Sequence, residues 1–366
     1  MKLFALLTDG FGARGGIAQY NCDLLQALSL SPDLEKILVL SRQGPKVQSD
    51  KPPMMEVIEP KGSRWLYAIT ALGRSGQFGK NDWIFCGHIY MLPLAVALSF
   101  VTGSRVWLQI HGIEAWNRGN LAVNIAMKYV ARVTAVSRYT RRRFLEWSSI
   151  RPEMVKVIPN TVDKRFLPGE PSDRRRFAED DQKLLLSVSR LSSTERYKGQ
   201  DRMIETLAAL EQEHCRFVYM IAGEGDDISR LQELVASHHL EKCIRFIGYV
   251  PDEDLPALFR TADIFAMPST GEGFGIVFLQ ALACGCAVIA GNADGSTDPL
   301  LDGRAGLLVA PEDKVELRNA LKSAMNNPID GTFAARIFSR QHFEAAALAL
   351  ISQFNGRDMS GMADHD

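Results

Sequence analysis

The stretch that decides the fold runs from Pro268 to Gly285 and reads PSTGEGFGIVFLQALACG. The apolar run Asp263–Pro268 predicts a buried strand, and Ile276–Cys284 predicts a helix. The glycine-rich turn between them directs free backbone N–H groups and the positive end of the helix dipole toward one point. A diphosphate or sugar hydroxyls suit that point, and the Glu272 carboxylate is placed to accept hydrogen bonds from two sugar hydroxyls. Ordinary capping of a helix start is the alternative interpretation of this turn.

The alternation of short apolar runs with helical patterns continues outward over both halves of the chain. Strand, helix, strand in sequence implies parallel crossovers, so each half is predicted to form a doubly wound sheet. The polar stretch Asn160–Lys183 is typical of an interdomain linker and its flank. Strands are predicted at Leu3–Asp9, Lys36–Arg42, Met55–Glu59, Asp82–His88, Arg105–Gly112, Arg132–Ser137, Val155–Pro159, Leu184–Ser189, Arg216–Ala222, Ile244–Gly248, Asp263–Pro268, Ala287–Ala290 and Gly306–Val309. Helices in the second half are predicted near Asp201–Gln212, Asp227–His238, Asp252–Arg260 and Ile276–Cys284.

The predicted fold class is α/β, with two Rossmann-like doubly wound domains and a cleft between them. At 366 residues the chain is longer than one hydrophobic core usually supports. The predicted domains are residues 1–163 and residues 164–339. Doubly wound sheets bind ligands at the carboxyl ends of their strands, so the active site is expected in the interdomain cleft.

Composition excludes several classes of protein. With 46% hydrophobic and 23% charged residues, the chain is typical of a globular protein rather than a disordered or fibrous one. Its six cysteines form no C-x-x-C pair and have no histidine at ligand spacing, which argues against structural zinc and favours a reducing compartment. No signal peptide and no run of about 18 apolar residues is present, so a cytoplasmic location is predicted.

Charge is distributed unevenly along the chain. Residues 1–165 carry an excess of ten positive charges, and the remainder carries an excess of eleven negative ones. This asymmetry suggests that the first half meets an anionic membrane or a phosphate-bearing acceptor, although solvated helix faces explain it too. Nucleic acid is not expected as a partner, because no aromatic-interleaved module accompanies the basic residues. The candidate lipid-binding residues are the run Arg138–Phe144 and the set Lys61, Arg64, Trp65, Arg74 and Lys80.

Two cations flank a second turn in the C-terminal half. Arg190 lies just past the predicted strand Leu184–Ser189, and Lys198 lies just before the predicted helix at Asp201. Both therefore point to one mouth of the sheet. Transfer from a nucleotide sugar releases a diphosphate, and cations directed at its oxygens stabilise the charge that grows in the transition state. The alternative is an Arg and a Lys in a solvated loop.

Several motifs taken together resemble the retaining GT-B glycosyltransferases of family 4. The resemblance covers nearly the whole chain and is most specific in the second half. It implies a metal-independent hexosyltransferase that moves a hexose from a UDP- or GDP-sugar to a saccharide or lipid-linked saccharide, in cell-surface polysaccharide synthesis. The motifs are Arg190 with Lys198-Gly199, Gly223-Glu224-Gly225, Phe246–Val250, Ala262–Phe265, Glu272–Gly275, Ala281–Gly285 and Asp302–Val309.

The resemblance also implies roles for domains and residues. The first domain would bind the acceptor and the second the donor, and a last helix at about residues 340–356 would pack back on the first domain. Gln280 stands where the family has a second acid that contacts the ribose, so hydrogen bonding is kept there and charge is lost. Asp298 stands where the family often has Glu, and its role stays open. The implied catalytic residues are His111, Glu272, Arg190 and Lys198. The implied donor-binding residues are Gly15, Gly16, Arg190, Lys198, Tyr249, Val250, Glu272, Gly273, Phe274, Gly275, Ile276 and Gln280.

The loop after the first predicted strand has two interpretations. Residues 10–15 read GFGARG, which matches the dinucleotide-binding fingerprint, yet no acid follows the second strand to bind a ribose. NAD is therefore not expected, whereas Arg42 keeps NADP as an open alternative. The same loop, through Gly15 and Gly16, resembles the family's glycine loop that approaches the donor phosphate.

Two histidines follow predicted strands. A lone histidine at a strand end is usually a satisfied polar residue, but His111 opens a motif, His111–Glu114, that resembles the one whose imidazole lies beside the transferred sugar. His88 is left as structural or as part of the acceptor site.

Residues Asp252–Asp254 spell the D-x-D pattern of metal-dependent glycosyltransferases. They precede a predicted helix, where acids stabilise the first turn, so no catalytic metal and no cofactor are predicted. Two other functions stay open: a nucleotide-sugar epimerase of the same fold, and a non-catalytic nucleotide-sugar-binding subunit, which only the glutamine at position 280 favours.

Overall fold

The chain divides into two compact units. The first comprises Met1–Asn160 together with the C-terminal segment from Arg340, and the second comprises Thr161–Ser339. The structure is a computed structural model that describes residues 1–11, 13, 15–44, 52–59, 62–170, 174–214 and 216–354. The predicted cleft concerns the relation between the units and stays a prediction.

A seven-stranded parallel sheet forms the centre of the first unit, in the order β3-β2-β1-β4-β5-β6-β7. Its central strands are continuous apolar runs buried on both faces, which is the pattern expected when helices cover both sides of a parallel sheet. The strands are β1 (Lys2–Asp9), β2 (Lys36–Gln43), β3 (Met55–Ile58), β4 (Trp83–Cys86), β5 (Arg105–Ile110), β6 (Val130–Ala135) and β7 (Val155–Val157).

Among the described residues before Asn160, five α-helices alternate with these strands along the chain. The first, α1, buries Tyr20, Leu24 and Leu28, which recur at spacings of four residues and so form one face of a helix. The helices are α1 (Gly16–Leu28), α2 (Arg64–Ser75), α3 (Leu92–Thr102), α4 (Leu121–Met127) and α5 (Arg138–Leu145).

The second unit contains a six-stranded parallel sheet in the order β10-β9-β8-β11-β12-β13. Its strands are β8 (Lys183–Val188), β9 (Phe217–Ala222), β10 (Ile244–Gly248), β11 (Ile264–Met267), β12 (Ala287–Gly291) and β13 (Leu307–Val309). Its helices are α6 (Arg174–Phe177), α7 (Gln200–Gln212), α8 (Ile228–Ser237), α9 (Leu255–Thr261), α10 (Ile276–Cys284), α11 (Lys314–Asn326) and α12 (Ala334–Ile337). The predicted strands and helices are confirmed, with ends that differ by three residues at most.

The strand order reverses at one place in each sheet. In the first unit this place lies between β1 and β4, and in the second it lies between β8 and β11. Loops that leave these neighbouring strands in opposite directions open a crevice at the carboxyl ends of the strands, where doubly wound sheets bind ligands. The two reversal points therefore locate the candidate site in each unit.

The last helix, α13 (Arg340–Phe354), packs within the first unit. The Phe354 ring stacks on Trp83 at 4.0 Å between centroids, and the Arg340 guanidinium donates a hydrogen bond to Asp23 at 2.6 Å. A buried aromatic stack and an ion pair thus attach this helix to β4 and α1.

The boundary between the two units, at Asn160 and Thr161, falls at the start of the stretch Asn160–Lys183 that the sequence predicts as a linker and its flank, and the residues after it are anchored in the second unit. Phe166 is buried and meets the Phe259 ring at 6.0 Å between centroids. Arg174 donates to the Asp263 carboxylate at 2.8 Å, which fixes α6 beside the start of β11. The polar composition concealed these two anchors, and residues 171–173 lie outside the described residues.

No helix in the part of the chain that the structure describes is long and apolar enough to span a bilayer.

Candidate active site

A buried ion pair lies at the reversal point of the second sheet. Lys198 ends a short turn after β8, and Glu272 lies in the loop after β11. Lys198 Nζ donates a hydrogen bond to Glu272 Oε1 at 2.6 Å, and the two side chains are only 14% and 15% exposed. Burial opposes the Lys198 charge, but the Glu272 carboxylate outweighs it and raises the Lys198 pKa to about 12. The structure thus brings together two residues that the sequence singles out separately.

Close backbone packing fixes the two turns that carry this pair. The Thr270 N–H donates to the Tyr197 carbonyl at 2.9 Å. Gly199 has a φ of 88°, and a Cβ there would lie 2.5 Å from the Pro268 carbonyl oxygen. Gly271 lies against the Tyr197 ring, which a Cβ would meet at 2.5 Å. Only glycine fits these two positions, so the glycines set the separation of Lys198 from Glu272.

Arg190 joins the same cluster through a residue that the sequence analysis missed. Its guanidinium pairs with Glu195 Oε1, although the Arg190 side chain is 79% exposed. The other carboxylate oxygen of Glu195 is buried 3.7 Å from Lys198 Nζ. The cluster therefore holds two cations and two carboxylates. Its signal in the sequence is an acid three residues before Lys198, which is uninformative until the turn is known.

The loop that carries Glu272 leads into the start of α10. Gly275 precedes the helix with a φ of 78°, a left-handed conformation that favours glycine, and Ile276 begins the helix. The Phe274 side chain is buried edge-on against Phe338 at 5.5 Å, so only its backbone remains for a ligand. Gln280 is half-buried one turn further along α10. This arrangement fits the predicted glycine turn, and the role of each residue stays a prediction.

A buried acid that the sequence analysis also missed contacts the Glu272 loop. Asp294, after β12, accepts the Glu272 N–H at 2.8 Å. Burial raises its pKa to about 6, against hydrogen bonds from Ser269 and Ser296 that lower it. A single Asp in a loop carries no sequence signal that separates it from a turn residue.

Tyr249 and Val250, which the family resemblance implies as donor-binding residues near the nucleobase, follow β10 at the edge of the sheet. Tyr249 is partly exposed and Val250 is half-buried. The carbonyl of Gly248 accepts the Gly223 N–H at 2.8 Å, which ties this segment to the end of β9. One strand, β9, lies between β10 and β8, and contact of this segment with a base stays a prediction.

The glycine loop of the first unit leads into α1. Gly15 precedes the helix with a φ of 101°, and a Cβ on it would meet nothing within 4 Å. Gly16 is the first residue of α1, and both glycines are exposed. The first N–H groups of a helix have no partner within it, so this helix start suits an anion, and binding of the donor phosphate here stays a prediction. Gly12 and Arg14, also in the predicted loop, lie outside the described residues.

His111 follows β5 and is held as a neutral imidazole. Its Nε2 lies 3.0 Å from the Gly87 carbonyl oxygen, and its backbone N–H donates to Glu114 Oε1 at 2.6 Å. Burial lowers the His111 pKa to about 4, and the nearby Glu114 charge only partly opposes this. Because a carbonyl can only accept, Nε2 carries the proton and Nδ1 is the acceptor. His111 is therefore suited to accept a hydrogen bond from a hydroxyl and not to act as an acid.

Comparison with known proteins gives the family. Residues 170–341 match the family described as Glycosyl transferases group 1, and residues 14–166 match Glycosyltransferase Family 4. A GDP-mannose-dependent alpha-(1-6)-phosphatidylinositol monomannoside mannosyltransferase of Mycolicibacterium smegmatis is 33% identical, over 68% of this chain and 69% of its own length. The chain belongs to the family 4 glycosyltransferases.

Further relatives agree with this assignment. A GDP-mannose-dependent monoacylated alpha-(1-6)-phosphatidylinositol monomannoside mannosyltransferase of Corynebacterium glutamicum is 31% identical, over 80% of this chain and 74% of its own length. Anabaena HepE, solved with UDP and glucose, superposes with a TM-score of 0.77 at 22% identity, over 96% of this chain and all of its own. Sucrose-phosphate synthase from Thermosynechococcus elongatus gives 0.79 at 18% identity, over 98% and 100%. The solved structures bear on the fold alone, and they confirm the GT-B class with its two Rossmann-like domains.

His88, the other histidine that follows a predicted strand of this family 4 glycosyltransferase, has a local structural role. His88 Nδ1 accepts the Tyr90 N–H at 3.3 Å and so caps the short turn Ile89–Met91. Burial lowers the His88 pKa, with partial opposition from the Glu114 and Asp9 charges. These contacts account for His88 without a ligand, although its predicted place in an acceptor site is untested.

The D-x-D pattern lies before α9 rather than in its first turn. Asp252, Glu253 and Asp254 are exposed, and the helix begins at Leu255. Asp254 makes no side-chain capping hydrogen bond, so the predicted stabilisation reduces to proximity to the helix dipole. Among the described residues, no three His, Cys, Asp or Glu side chains are grouped as metal ligands. Metal independence of this glycosyltransferase stays a prediction.

The basic run on α5 is partly used inside the first unit. Arg141 donates to the carbonyls of Val155 and Pro152, and Arg142 lies over the Tyr139 ring at 4.9 Å. Phe144 is fully buried in the core. Part of the run is thus held inside the unit, and contact of the run with anionic lipid stays a prediction. Of the other predicted residues, Trp65 is 81% exposed and Lys61 lies outside the described residues.

Proposed function

We propose that this glycosyltransferase moves a hexose, with mannose from GDP-mannose as the first candidate, onto a lipid-linked saccharide with retention of anomeric configuration. The observation that carries the proposal is the buried Lys198–Glu272 pair at the reversal point between β8 and β11. An ammonium suits the diphosphate of the donor, and a carboxylate suits the hydroxyls of its sugar. The names of the two mannosyltransferase relatives support GDP-mannose and a phosphatidylinositol mannoside as the substrates to test first.

The proposed reaction needs no covalent intermediate on the protein. The acceptor oxygen forms a bond to the anomeric carbon as the bond from that carbon to the β-phosphate oxygen breaks. The departing nucleoside diphosphate takes the acceptor's proton on the same face of the sugar, which is the route that the family resemblance implies. Lys198 and Arg190 stabilise the charge on the leaving diphosphate without a metal, and the neutral His111 accepts a hydrogen bond from a hydroxyl of the transferred sugar.

The first unit carries an apolar surface that suits a membrane. Helix α2 contacts α3, and α3 contacts α4. Each exposes large apolar side chains instead of the polar residues usual on a helix that faces water. We call this surface the apolar helix face. Its members are Trp65, Leu66, Ile69 and Leu72 on α2, Phe100 and Val101 on α3, Leu121 and Ile125 on α4, and Tyr129 just after α4.

The charge around the apolar helix face favours anionic lipid over a protein partner. Between residues 61 and 145 the chain has twelve Lys and Arg but only two acids, Asp82 and Glu114. Both acids accept backbone N–H groups, from Lys2 and Gly79 and from His111 and Gly112 respectively. A basic surface with exposed Trp and Tyr is typical of peripheral binding to anionic membranes. We therefore propose that the protein works as a peripheral cytoplasmic enzyme on the inner face of the plasma membrane.

The activity test uses the full chain with GDP-mannose or UDP-glucose, EDTA, and vesicles that contain phosphatidylinositol mannosides. Mass spectrometry should detect a lipid that is heavier by one hexose, and NMR should show an α linkage when the donor is GDP-α-mannose. Hydrolysis without transfer, inversion, or dependence on added metal would contradict the corresponding part of the proposal.

Membrane binding is tested separately by sedimentation with vesicles that are neutral or contain phosphatidylglycerol. The wild type should sediment with the anionic vesicles only, and Ile69→Asp should lose this binding. Val315→Asp is the matched control, because Val315 is also exposed but lies on α11 of the second unit. Equal binding by the Ile69 and Val315 variants would show that the apolar helix face does not contribute to membrane binding.

A further inference from the structure

A second acid lies beneath the Glu272 loop and is fully buried. Asp294 comes three residues after β12 and has no exposed surface. One carboxylate oxygen accepts the Ser269 hydroxyl at 2.6 Å and the Glu272 N–H at 2.8 Å. The other accepts the N–H and the hydroxyl of Ser296, at 2.9 Å and 2.6 Å. The side chain thus connects both ends of the Pro268–Glu272 segment to the turn after β12.

The residue beside Asp294 brings the two loops into backbone contact. The Gly295 N–H donates to the Glu272 carbonyl at 2.7 Å. A Cβ on Gly295 would lie 2.1 Å from the Gly273 carbonyl oxygen and 2.7 Å from that of Glu272. The loop after β12 therefore binds both backbone groups of Glu272. Asp294 accepts its N–H, and Gly295 donates to its carbonyl.

Four hydrogen-bond donors surround the side chain at position 294, and they explain why this residue is an acid. A carboxylate accepts along both of its edges, whereas an Asn side chain accepts only at its oxygen and directs an NH2 group at the other pair of donors. All four groups that meet Asp294 are neutral donors, and no ion pair to it exists among the described residues. Burying an unpaired carboxylate carries a large desolvation cost. Such a cost is typical of a position where geometry matters more than stability.

We propose that Asp294 is a positioning residue of the transfer reaction: by accepting the Glu272 N–H it fixes the Glu272 carboxylate where it binds both Lys198 and the hydroxyls of the donor sugar. The inference rests on the proposed role of Glu272 in donor binding. Asp294 itself has no exposed surface, so it acts through Glu272 and not on the substrate.

The effect on a nucleotide sugar should differ from the effect on a nucleotide. If Asp294 positions the carboxylate that binds the sugar, its replacement weakens the sugar contact and leaves the diphosphate contact with Lys198 and Arg190. In Asp294→Asn, the KM for GDP-mannose should rise about tenfold or more, the range expected for a misplaced hydrogen bond to a charged group. The Kd for GDP alone should stay within about twofold of the wild-type value, since GDP carries no sugar.

Hydrogen exchange measures the Glu272 N–H bond without any turnover. The full chain is exchanged at one fixed pH, and mass spectrometry then follows the peptides that cover residues 268–278. Amide exchange in these peptides should be about tenfold faster in Asp294→Asn than in the wild type. Asp313→Asn is the matched control, since Asp313 accepts the N–H groups of Val315 and Glu316 at the start of α11. It should speed exchange there and leave the 268–278 peptides and the KM unchanged.

If Asp294→Asn does not fold, Ser296→Ala replaces it, because it removes a donor to the carboxylate without touching Glu272. Unchanged exchange over residues 268–278, or equal losses of GDP and GDP-mannose binding, would overturn the inference. A wild-type chain that turns over no UDP- or GDP-hexose would overturn the proposed function instead, and exchange would still decide whether Asp294 holds the loop.

Discussion

At the scale of single residues, the sequence predicts the chemistry of the site but not its pairing. Glu272, Lys198 and Arg190 stand out because their types and loop positions suit a sugar and a diphosphate. Their ion pairs depend on how two turns meet, and Glu195 and Asp294 enter only through that contact. Acids in loops are too common for either one to be selected from spacing alone.

Removal of the Lys198 charge should stop the chemical step. In Lys198→Ala, kcat should fall on the order of a hundredfold, because the leaving diphosphate loses a cation and Glu272 loses its partner. Steady-state kinetics measure this change. Lys314→Ala removes a surface ion pair with Glu205 in the same unit and should leave kcat unchanged. Similar rates for the two variants would contradict the role of Lys198.

Neutralising Glu195 should strengthen the binding of a nucleotide. Glu195→Gln removes the carboxylate that pairs with Arg190 and lies near Lys198, so both cations become more available to a diphosphate. The Kd for GDP in calorimetry should fall by several-fold, about 1 kcal/mol. Glu312→Gln, which breaks the surface pair with Arg202, is the control. Weaker GDP binding by Glu195→Gln would show that this acid supports the site.

At the scale of elements, the glycines of the two turns set the geometry of the site. The glycine-rich turn before α10 is predictable because three glycines separate a strand from a helix. The close approach of Gly199 to Pro268 is not predictable, because those residues are far apart in sequence and meet only when β8 and β11 pair. Local sequence patterns are therefore enough to predict the helices and strands. The geometry of the candidate site depends on how the strands pair.

Substitution of two glycines separates the effect of the close contact between Gly199 and Pro268 from the effect of a positive φ. Gly199 and Gly285 both have a positive φ, 88° and 93°, but a Cβ on Gly285 meets nothing within 4 Å. Gly285→Ala should cost about 1–2 kcal/mol of unfolding free energy and leave kcat/KM unchanged. Gly199→Ala should cost more and lower kcat/KM, because its Cβ would separate the turns that carry Lys198 and Glu272. Urea unfolding and kinetics measure the two effects, and equal behaviour would contradict the close approach.

At the scale of the whole molecule, the alternation of apolar runs and helical patterns is sufficient to predict two doubly wound sheets. The polar composition at residues 160–183 predicts a linker and its flank, and the boundary of the units falls at its start, but it does not reveal that Phe166 and Arg174 anchor the rest against Phe259 and Asp263. The apolar helix face is likewise hidden in the sequence, since an apolar helix residue looks the same whether it faces the core or solvent.

Acid should weaken the first unit through His111. Its folded pKa of about 4 lies below the ordinary 6.5, so below pH 6.5 the unfolded chain binds a proton that the folded chain does not. The contribution is present above pH 6.5 and is lost as the pH falls toward 4, by roughly 3 kcal/mol in total.

Tryptophan fluorescence reports this effect selectively, because all five tryptophans lie in the first unit. In urea unfolding between pH 7 and 4.5, His111→Gln should be less sensitive to pH than the wild type. Parallel curves for the two proteins would show that His111 titrates in the folded chain as it does in the unfolded one, and that folding does not lower its pKa.

The central claim is that the second unit binds a nucleoside diphosphate through Arg190 and Lys198 without a metal. Isothermal titration calorimetry of GDP, UDP and NADP with EDTA, on the wild type and on Arg190→Ala, tests it most directly. We expect GDP or UDP to bind the wild type and to bind Arg190→Ala about tenfold or more weakly, while NADP does not bind. Binding of NADP alone, or nucleotide binding that Arg190→Ala leaves unchanged, would contradict it.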